Sequence, residues 1–206
     1  MLLKIYPENP EGRKLEVALE ILKSGGTLIY PTDSVYSLGC SLLDHKAVLK
    51  VASIKGIKPE NANFTLVMND LSTISEYTKP FDTWVYKLMK KALPGPFTFI
   101  LEANSHVPKV FKSKRKTIGI RVPDNPIVQI LIEKLGNPLI STSIRNEDEV
   151  IEYITDPELI HEKYHSKVDA VIDGGYMNNT ATTVVDCTSN VPLVIRQGIG
   201  DLSRFV

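Results

Sequence analysis

The stretch Thr27-Leu-Ile-Tyr-Pro-Thr-Asp-Ser-Val-Tyr-Ser-Leu-Gly39 runs a short apolar strand straight into a polar elbow. Leu28 to Tyr30 carry the branched and aromatic side chains of a buried strand, and the preceding Gly25-Gly26 pair stops a helix. Pro31 has no backbone N–H, so regular pairing should end there or continue only at an edge. The elbow then gathers the hydroxyls of Thr32, Ser34 and Ser37, the Asp33 carboxyl and the Tyr36 phenol. Gly39 lets the backbone pass close to a neighbour. Hydroxyl-rich turns of this kind are common structural features; the functional reading of this one depends on the rest of the chain.

On both sides of the elbow, strand and helix patterns alternate without repeats, low-complexity tracts or a linker. Leu2 to Tyr6 reads as a strand, and Glu11 to Ser24 as an amphipathic helix with Leu15, Ala18, Leu19 and Leu22 on one face. Lys46 to Ile54 is helical and Asn63 to Met68 a strand. Leu71 to Tyr77 and Thr83 to Leu93 read as helices, the second ended by Pro94-Gly-Pro96. Strands follow at Phe97 to Glu102 and Thr117 to Val122, then a helix from Pro126 to Leu135 and a strand at Leu139 to Ser141. Strands near Ala170 to Ile172, Thr182 to Asp186 and Leu193 to Arg196 close the chain. Strands outnumber simple βαβ repeats, so the expected class is α/β (α+β): a mixed sheet with flanking helices, not a doubly wound fold. Neither GxxxxGK[ST] nor GxGxxG occurs, which excludes the P-loop and Rossmann nucleotide motifs.

A chain of 206 residues is most simply one domain, spanning 1–206. Its 43% hydrophobic and 23% charged residues are ordinary for a soluble globular protein. No apolar run approaches the roughly 20 residues of a membrane helix, and the first residues lack a signal-peptide pattern, so a cytoplasmic protein with no membrane partner is expected. Cys40 and Cys187 are isolated and expected as reduced thiols. His45, His106, His161 and His165 offer no convincing metal-ligand spacing, and no metal site is expected from them. The 24 basic and 24 acidic residues cancel, yet they are unevenly placed. Lys109, Lys112, Lys114, Arg115 and Lys116 form a basic run leading into the strand at Thr117, whereas residues 147 to 162 hold seven acids and no Lys or Arg. Such a basic run is either a solvated loop or a phosphate- or RNA-facing patch, which needs local and not global positive charge.

Polar residues recur at element ends. Lys55 ends a helix, Thr117 and Arg121 share one face of a strand, Ser141-Thr-Ser143 follows an apolar strand with Arg145 close behind, and Arg196 leaves the last strand. Singly, each is an ordinary cap, turn or ion-pair partner. Together, cations and hydroxyls at strand ends are what a polyphosphate and a carboxylate require.

Gly25-Gly-Thr-Leu-Ile-Tyr-Pro-Thr-Asp-Ser-Val-Tyr-Ser-Leu-Gly39, Pro94-Gly-Pro-Phe-Thr-Phe99, Lys116-Thr-Ile-Gly-Ile-Arg-Val-Pro123, Ser141-Thr-Ser143 and Asp173-Gly-Gly175 resemble, in order, the YrdC-like, threonylcarbamoyl-AMP synthase family. The Asn63-Phe-Thr-Leu66 block and the Ser-Thr-Ser form point to its YciO branch. The resemblance covers nearly the whole chain. It implies an open twisted α/β sandwich with a concave basic cavity, a cytoplasmic location, and an affinity for double-stranded RNA or tRNA. The family reaction joins L-threonine, bicarbonate and ATP into threonylcarbamoyl-adenylate and pyrophosphate, with Mg²⁺ expected, and feeds tRNA modification. By position the resemblance implies that Thr32, Ser34, Arg121 and Ser141 bind the threonine-like substrate. Asn63, Thr117, Ser143 and Arg196 would contact ATP, and Lys55, Ser143 and Arg145 would serve catalysis, Lys55 by neutralising phosphate charge.

Four positions depart from the synthase pattern. Lys-x-Arg becomes Lys55-Gly-Ile57, Ser-x-Asn becomes Ser143-Ile-Arg145, Asn-Pro becomes Asn63-Phe64, and the histidine expected after the third strand falls near Met68. Three functions are therefore weighed: a synthase of this type, a non-catalytic double-stranded RNA- or nucleotide-binding module, and an enzyme acting on a different adenylate or carbamoyl compound, with Met68 and Arg145 altering the acceptor pocket.

Overall fold

The computed structural model describes residues 1–107, 116–144 and 153–205. Fifteen regular elements follow in chain order. They are β1 (Leu2–Lys4), α1 (Arg13–Lys23), β2 (Leu28–Tyr30), β3 (Ser37–Ser41), α2 (His45–Ile54), β4 (Thr65–Val67), α3 (Thr83–Ala92), β5 (Phe97–Glu102), β6 (Thr117–Arg121), α4 (Pro126–Leu135), β7 (Leu139–Ser143), α5 (Pro157–Tyr164), β8 (Ala170–Asp173), β9 (Thr183–Asp186) and β10 (Leu193–Arg196). All the strands join one mixed sheet, ordered β1-β8-β2-β3-β7-β4-β6-β5-β9-β10. The expected class, a mixed α/β sheet with flanking helices, is the one observed.

Helix ends follow local chemistry. Asn125 caps α4 by accepting from the N–H groups of Ile127 and Val128, Pro126 occupies the first turn, and Gly136 ends it. Asp44 caps α2 through the Ala47 N–H, and Asp156 caps α5 through that of Glu158. Their apolar faces decide which side of the sheet each covers. α2, α3 and α5 bury Val48, Val51, Leu88, Met89 and Ile160 against Leu38, Cys40, Leu66, Phe99, Ile118, Ile120 and Ile140. On the other side α1 and α4 bury Leu15, Leu19, Leu22, Val128 and Leu131 against Leu28, Tyr30, Val67, Leu139, Ala170 and Ile172. These two helices cover only part of their face. Where they stop, the strands turn polar, and the fold leaves a cavity.

Two sequence expectations change. Ser37 to Gly39 is not elbow but the start of β3, which pairs antiparallel with both β2 and β7. Serine and glycine are weak strand formers, so this strand is invisible to propensity. It is held by Leu38 and Cys40 entering the core while Gly39 lies flat beneath Tyr30. A Cβ at Gly39 would stand 2.4 Å from the Ile140 carbonyl oxygen and 3.0 Å from the Tyr30 ring. The segment Leu71 to Tyr77 forms only a single 3₁₀ turn at Ile74–Glu76, because Asp70 turns the chain by accepting the Ser72 N–H at 2.7 Å. Cys40 and Cys187 are free and buried, and burial pushes both thiols up to about 12. No helix among the described residues is long and apolar enough to cross a membrane.

Candidate functional site

Strand alternation builds the cavity floor. In β6, Ile118 and Ile120 enter the core, so Thr117, Gly119 and Arg121 share the opposite face; β7 does the same with Ser141 and Ser143. The register then aligns these residues across strands. One row runs Gly39, Ser141, Thr65, Gly119, Ile100, Asp186 through five successive strand pairings. A parallel row pairs Ser37 with Ser143. A floor of hydroxyls and glycine cannot pack against a helix without stranding its polar atoms, which is why none of the described helices covers it. The resulting cavity holds about 700 Å³, within the roughly 300–1,000 Å³ of small-molecule sites.

At one end lies the elbow. The Arg121 and Asp33 side chains are only 7% and 8% exposed and form an ion pair, whose second carboxylate oxygen accepts the Asp124 N–H at 3.1 Å. Arg121 Nη2 also donates to Thr32 Oγ1 and to Ser34 Oγ, each at 2.8 Å. One nitrogen with two protons thus serves three oxygens, while the buried Nε–H finds no partner among the described residues. Thr32 donates to the Val35 carbonyl at 2.7 Å, and its oxygen accepts from the Ser34 N–H and from Arg121. Ser34, whose oxygen accepts from Arg121 and meets Thr32 Oγ1 at 3.3 Å, is itself part of the cavity lining. Arg121 Nε–H is thus a buried donor without a partner among the described residues, next to the Ser34 hydroxyl on one wall, an arrangement suited to an oxyanion.

The elbow is braced from behind. Tyr36 donates to the Gly175 carbonyl at 2.7 Å and accepts the Gly174 N–H at 3.3 Å. Gly174 in turn packs so closely on Pro31 that a Cβ would stand 2.7 Å from its ring. The Asp173-Gly-Gly175 turn and the elbow are one unit. Tyr30, whose phenol burial holds well above its ordinary range and so protonated, donates to Ser141 Oγ at 2.8 Å.

At the other end Arg196 donates from Nε and Nη2 to the Thr182 carbonyl, at 3.2 and 2.8 Å, and from Nη2 to Thr182 Oγ1 at 3.2 Å. The Thr182 hydroxyl also meets that of Thr98 at 2.9 Å.

Seven residues expected from the sequence line this one cavity: Ser34, Asn63, Thr117, Arg121, Ser141, Ser143 and Arg196. Thr32 does not line it but sits buried behind Arg121. Lys55 stands outside the wall and donates to the Ser143 carbonyl at 2.9 Å, so its charge reaches the cavity through the end of β7. Met68 does not reshape an acceptor pocket: alternation along β4 sends it into the core with Leu66. Ile57, in the synthase arginine position, is exposed. Arg145, Lys109, Lys112, Lys114 and Arg115 lie outside the described residues; of the basic run only Lys116 is described, exposed just before β6. Sequence reasoning missed Asp33 as the partner of Arg121, and the wall residues Thr65, Thr98, Thr182 and Asp186. Thr98 set between the core residues Phe97 and Phe99, like Gly119 between Ile118 and Ile120, is the signal that would have found it.

A family model described as telomere recombination, covering Sua5, YciO and YrdC proteins, matches residues 20–198. The YciO protein of Escherichia coli K12, itself described as uncharacterized, is 44% identical over 204 residues, 98% of this chain and 97% of its own. The E. coli YciO crystal structure superposes with a TM-score of 0.91 at 42% identity, over 100% of this chain and 99% of that one. A threonylcarbamoyl-AMP synthase of Coxiella burnetii is 31% identical over 157 residues, 76% of this chain and 83% of its own. The Sua5 protein of Pyrococcus abyssi, crystallised with L-threonine, superposes with a TM-score of 0.87 at 26% identity, over 96% of this chain and 57% of that longer one.

Proposed function

The chain belongs to the Sua5/YciO/YrdC family, and on that premise we propose that it is an enzyme of the threonylcarbamoyl-AMP synthase type. Its substrates are ATP, bicarbonate and L-threonine or a closely similar amino acid; its products are pyrophosphate, water and a carbamoyl-adenylate that serves tRNA modification. The observation that carries this is the unpartnered Nε–H of buried Arg121 beside the Ser34 hydroxyl, both residues lining a hydroxyl-floored cavity.

The amino-acid carboxylate takes the Arg121 Nε–H and the Ser34 O–H. Arg196, Thr117, Ser143 and Asn63 face the nucleotide. The amine nitrogen bonds to the bicarbonate carbon as a hydroxyl leaves as water, giving a carbamate; a carbamate oxygen then bonds to the α-phosphorus as the bond from that phosphorus to the bridging oxygen breaks, and the electron pair leaves with pyrophosphate. A carbamate is a weak nucleophile, so rate comes from holding it in line and not from covalent attachment to a side chain. Asp186 is the single carboxylate on the cavity wall among the described residues, too few oxygen ligands for a resident ion, so a metal would arrive with the triphosphate. Mg²⁺, when bound, would offset charge growing on pyrophosphate.

Purified protein given ATP, Mg²⁺, bicarbonate and L-threonine should form threonylcarbamoyl-AMP, detected by mass spectrometry. Formation should need threonine and should fall at least a hundredfold in Arg121→Ala, the order expected when a charged contact in a desolvated site is lost. No product with any amino acid, from protein that keeps its fold, would sink the proposal. A second reading, the same chemistry on a different acceptor, is favoured by exposed Ile57 and core-buried Met68 where synthases carry arginine and histidine. Product with another amino acid and none with threonine would select it.

A further inference from the structure

The cavity has two ends of different character. Around Arg121 the wall is hydroxyl and glycine; toward β9 and β10 it is floored by Ile100, Val184 and Ile195, with Arg196 and Asp186 as its charged groups. In the β9–β10 register Asp186 faces Leu193 and Arg196 faces Val184, so the two charges lie two strand positions apart, and no ion pair joins them. Opposite charges in a half-buried cavity gain by meeting unless something else holds them apart. Here Arg196 is turned onto the Thr182 carbonyl. Asp186 is fixed by Thr188, whose N–H and O–H both donate to Oδ1, at 2.9 and 2.7 Å. Oδ2 makes no hydrogen bond or ion pair among the described residues. The result is a rigid, acceptor-only oxygen on the wall, set apart from the guanidinium.

We infer that Asp186 binds the ribose hydroxyls of the nucleotide, and so selects ribonucleotides over deoxyribonucleotides. This rests on the cavity being a nucleotide site, as proposed above. An ionised carboxylate can only accept, so it repels phosphate and asks for a ligand that donates. A ribose offers two adjacent hydroxyls on the nucleoside side of its phosphates. A carboxylate facing the 2′-hydroxyl is the same solution that dinucleotide sites use on an unrelated fold. Arg196, held apart from it, is left to the phosphates, while Ile100, Val184 and Ile195 give an apolar surface for the base. The two charges thus address two parts of one ligand, and pairing them with each other would remove both.

Equilibrium titration tests this with ATP, 2′-deoxy-ATP and inosine triphosphate, with and without Mg²⁺, on wild type and Asp186→Asn. Asparagine keeps the Oδ1 acceptor for Thr188 and loses the charge and the free acceptor. Wild type should bind ATP about tenfold more tightly than 2′-deoxy-ATP, the loss of one charge-assisted bond. The variant should bind the two equally, and inosine triphosphate should follow ATP throughout. Equal binding of ATP and 2′-deoxy-ATP by wild type overturns the assignment, whatever the variant does. Discrimination that survives in the variant also overturns it. So does a variant effect that falls on inosine triphosphate, which would place the base amine at Asp186, or one seen only with Mg²⁺, which would make Asp186 a metal ligand. Wild type that binds no nucleotide at all overturns the nucleotide reading of the cavity and this assignment with it; tight ATP binding without ribose discrimination overturns only the latter.

Discussion

Replacing Asp33 by alanine should destabilise the protein by about 3 kcal/mol, the low end of the cost of leaving one member of a buried ion pair behind. The low end applies because Arg121 Nη2 keeps the Thr32 and Ser34 oxygens, and because the cavity admits water to that wall. The carboxylate also holds the Asp124 N–H, which the substitution strands. For a chain of this size the loss corresponds to a melting temperature lower by about 6–12 °C. Urea unfolding of wild type, Asp33→Ala, Arg121→Leu and the double variant closes a cycle whose coupling should be about 2 kcal/mol. Because both side chains are over nine-tenths buried, that coupling should survive molar salt, which screens surface pairs. A coupling near zero, or one that salt abolishes, would refute the account of Arg121 as a cation fixed by Asp33.

Other consequences are as direct. Gly39→Ala should cost about 1–3 kcal/mol in urea unfolding, since its methyl would meet the Ile140 carbonyl and the Tyr30 ring. Asp169 is raised by burial but lowered more by Lys50 and by the Thr27 N–H and O–H, leaving its carboxyl below the ordinary range. With the folded value depressed, its contribution is present above the unfolded carboxylate pKa and is lost as pH falls through the folded one. Asp169→Asn should therefore lower the melting temperature at pH 7, with the difference from wild type closing in acid. Cys40 and Cys187 should resist a disulfide reagent at pH 8 in native protein and react on unfolding, because burial holds both thiols up to about 12; rapid native labelling would contradict their burial.

Elements with strong periodicity were legible in the sequence to the residue: Phe97–Glu102, Pro126–Leu135 and Leu193–Arg196 have the bounds expected of them. β3 was not, because Ser37, Gly39 and Ser41 are chosen for the space above the sheet and not for strand propensity. Thr117 and Arg121 could be placed on a common face because period two is a property of the strand alone. The partnership of Arg121 with Asp33, 88 positions away, could not, since it exists only once β6 and the elbow are brought together. Lys55 illustrates the same limit: its place in a motif marks it as important, but only the fold shows it holding the end of β7 instead of lining the wall.

Leaving part of a large sheet uncovered is hazardous in water. An open sheet face lined with valine or leucine would attract a second molecule, or collapse onto the nearest loop, as readily as it would receive a substrate. Thr65, Gly119, Ser141 and Ser143 prevent this, because their hydroxyls and bare backbone are content in water and offer a passing apolar surface little to grip. The residues that make the cavity hospitable to a polar ligand are therefore the ones that keep the molecule dispersed. Drift toward larger apolar side chains on this floor would show first as poor solubility, before any measured loss of turnover.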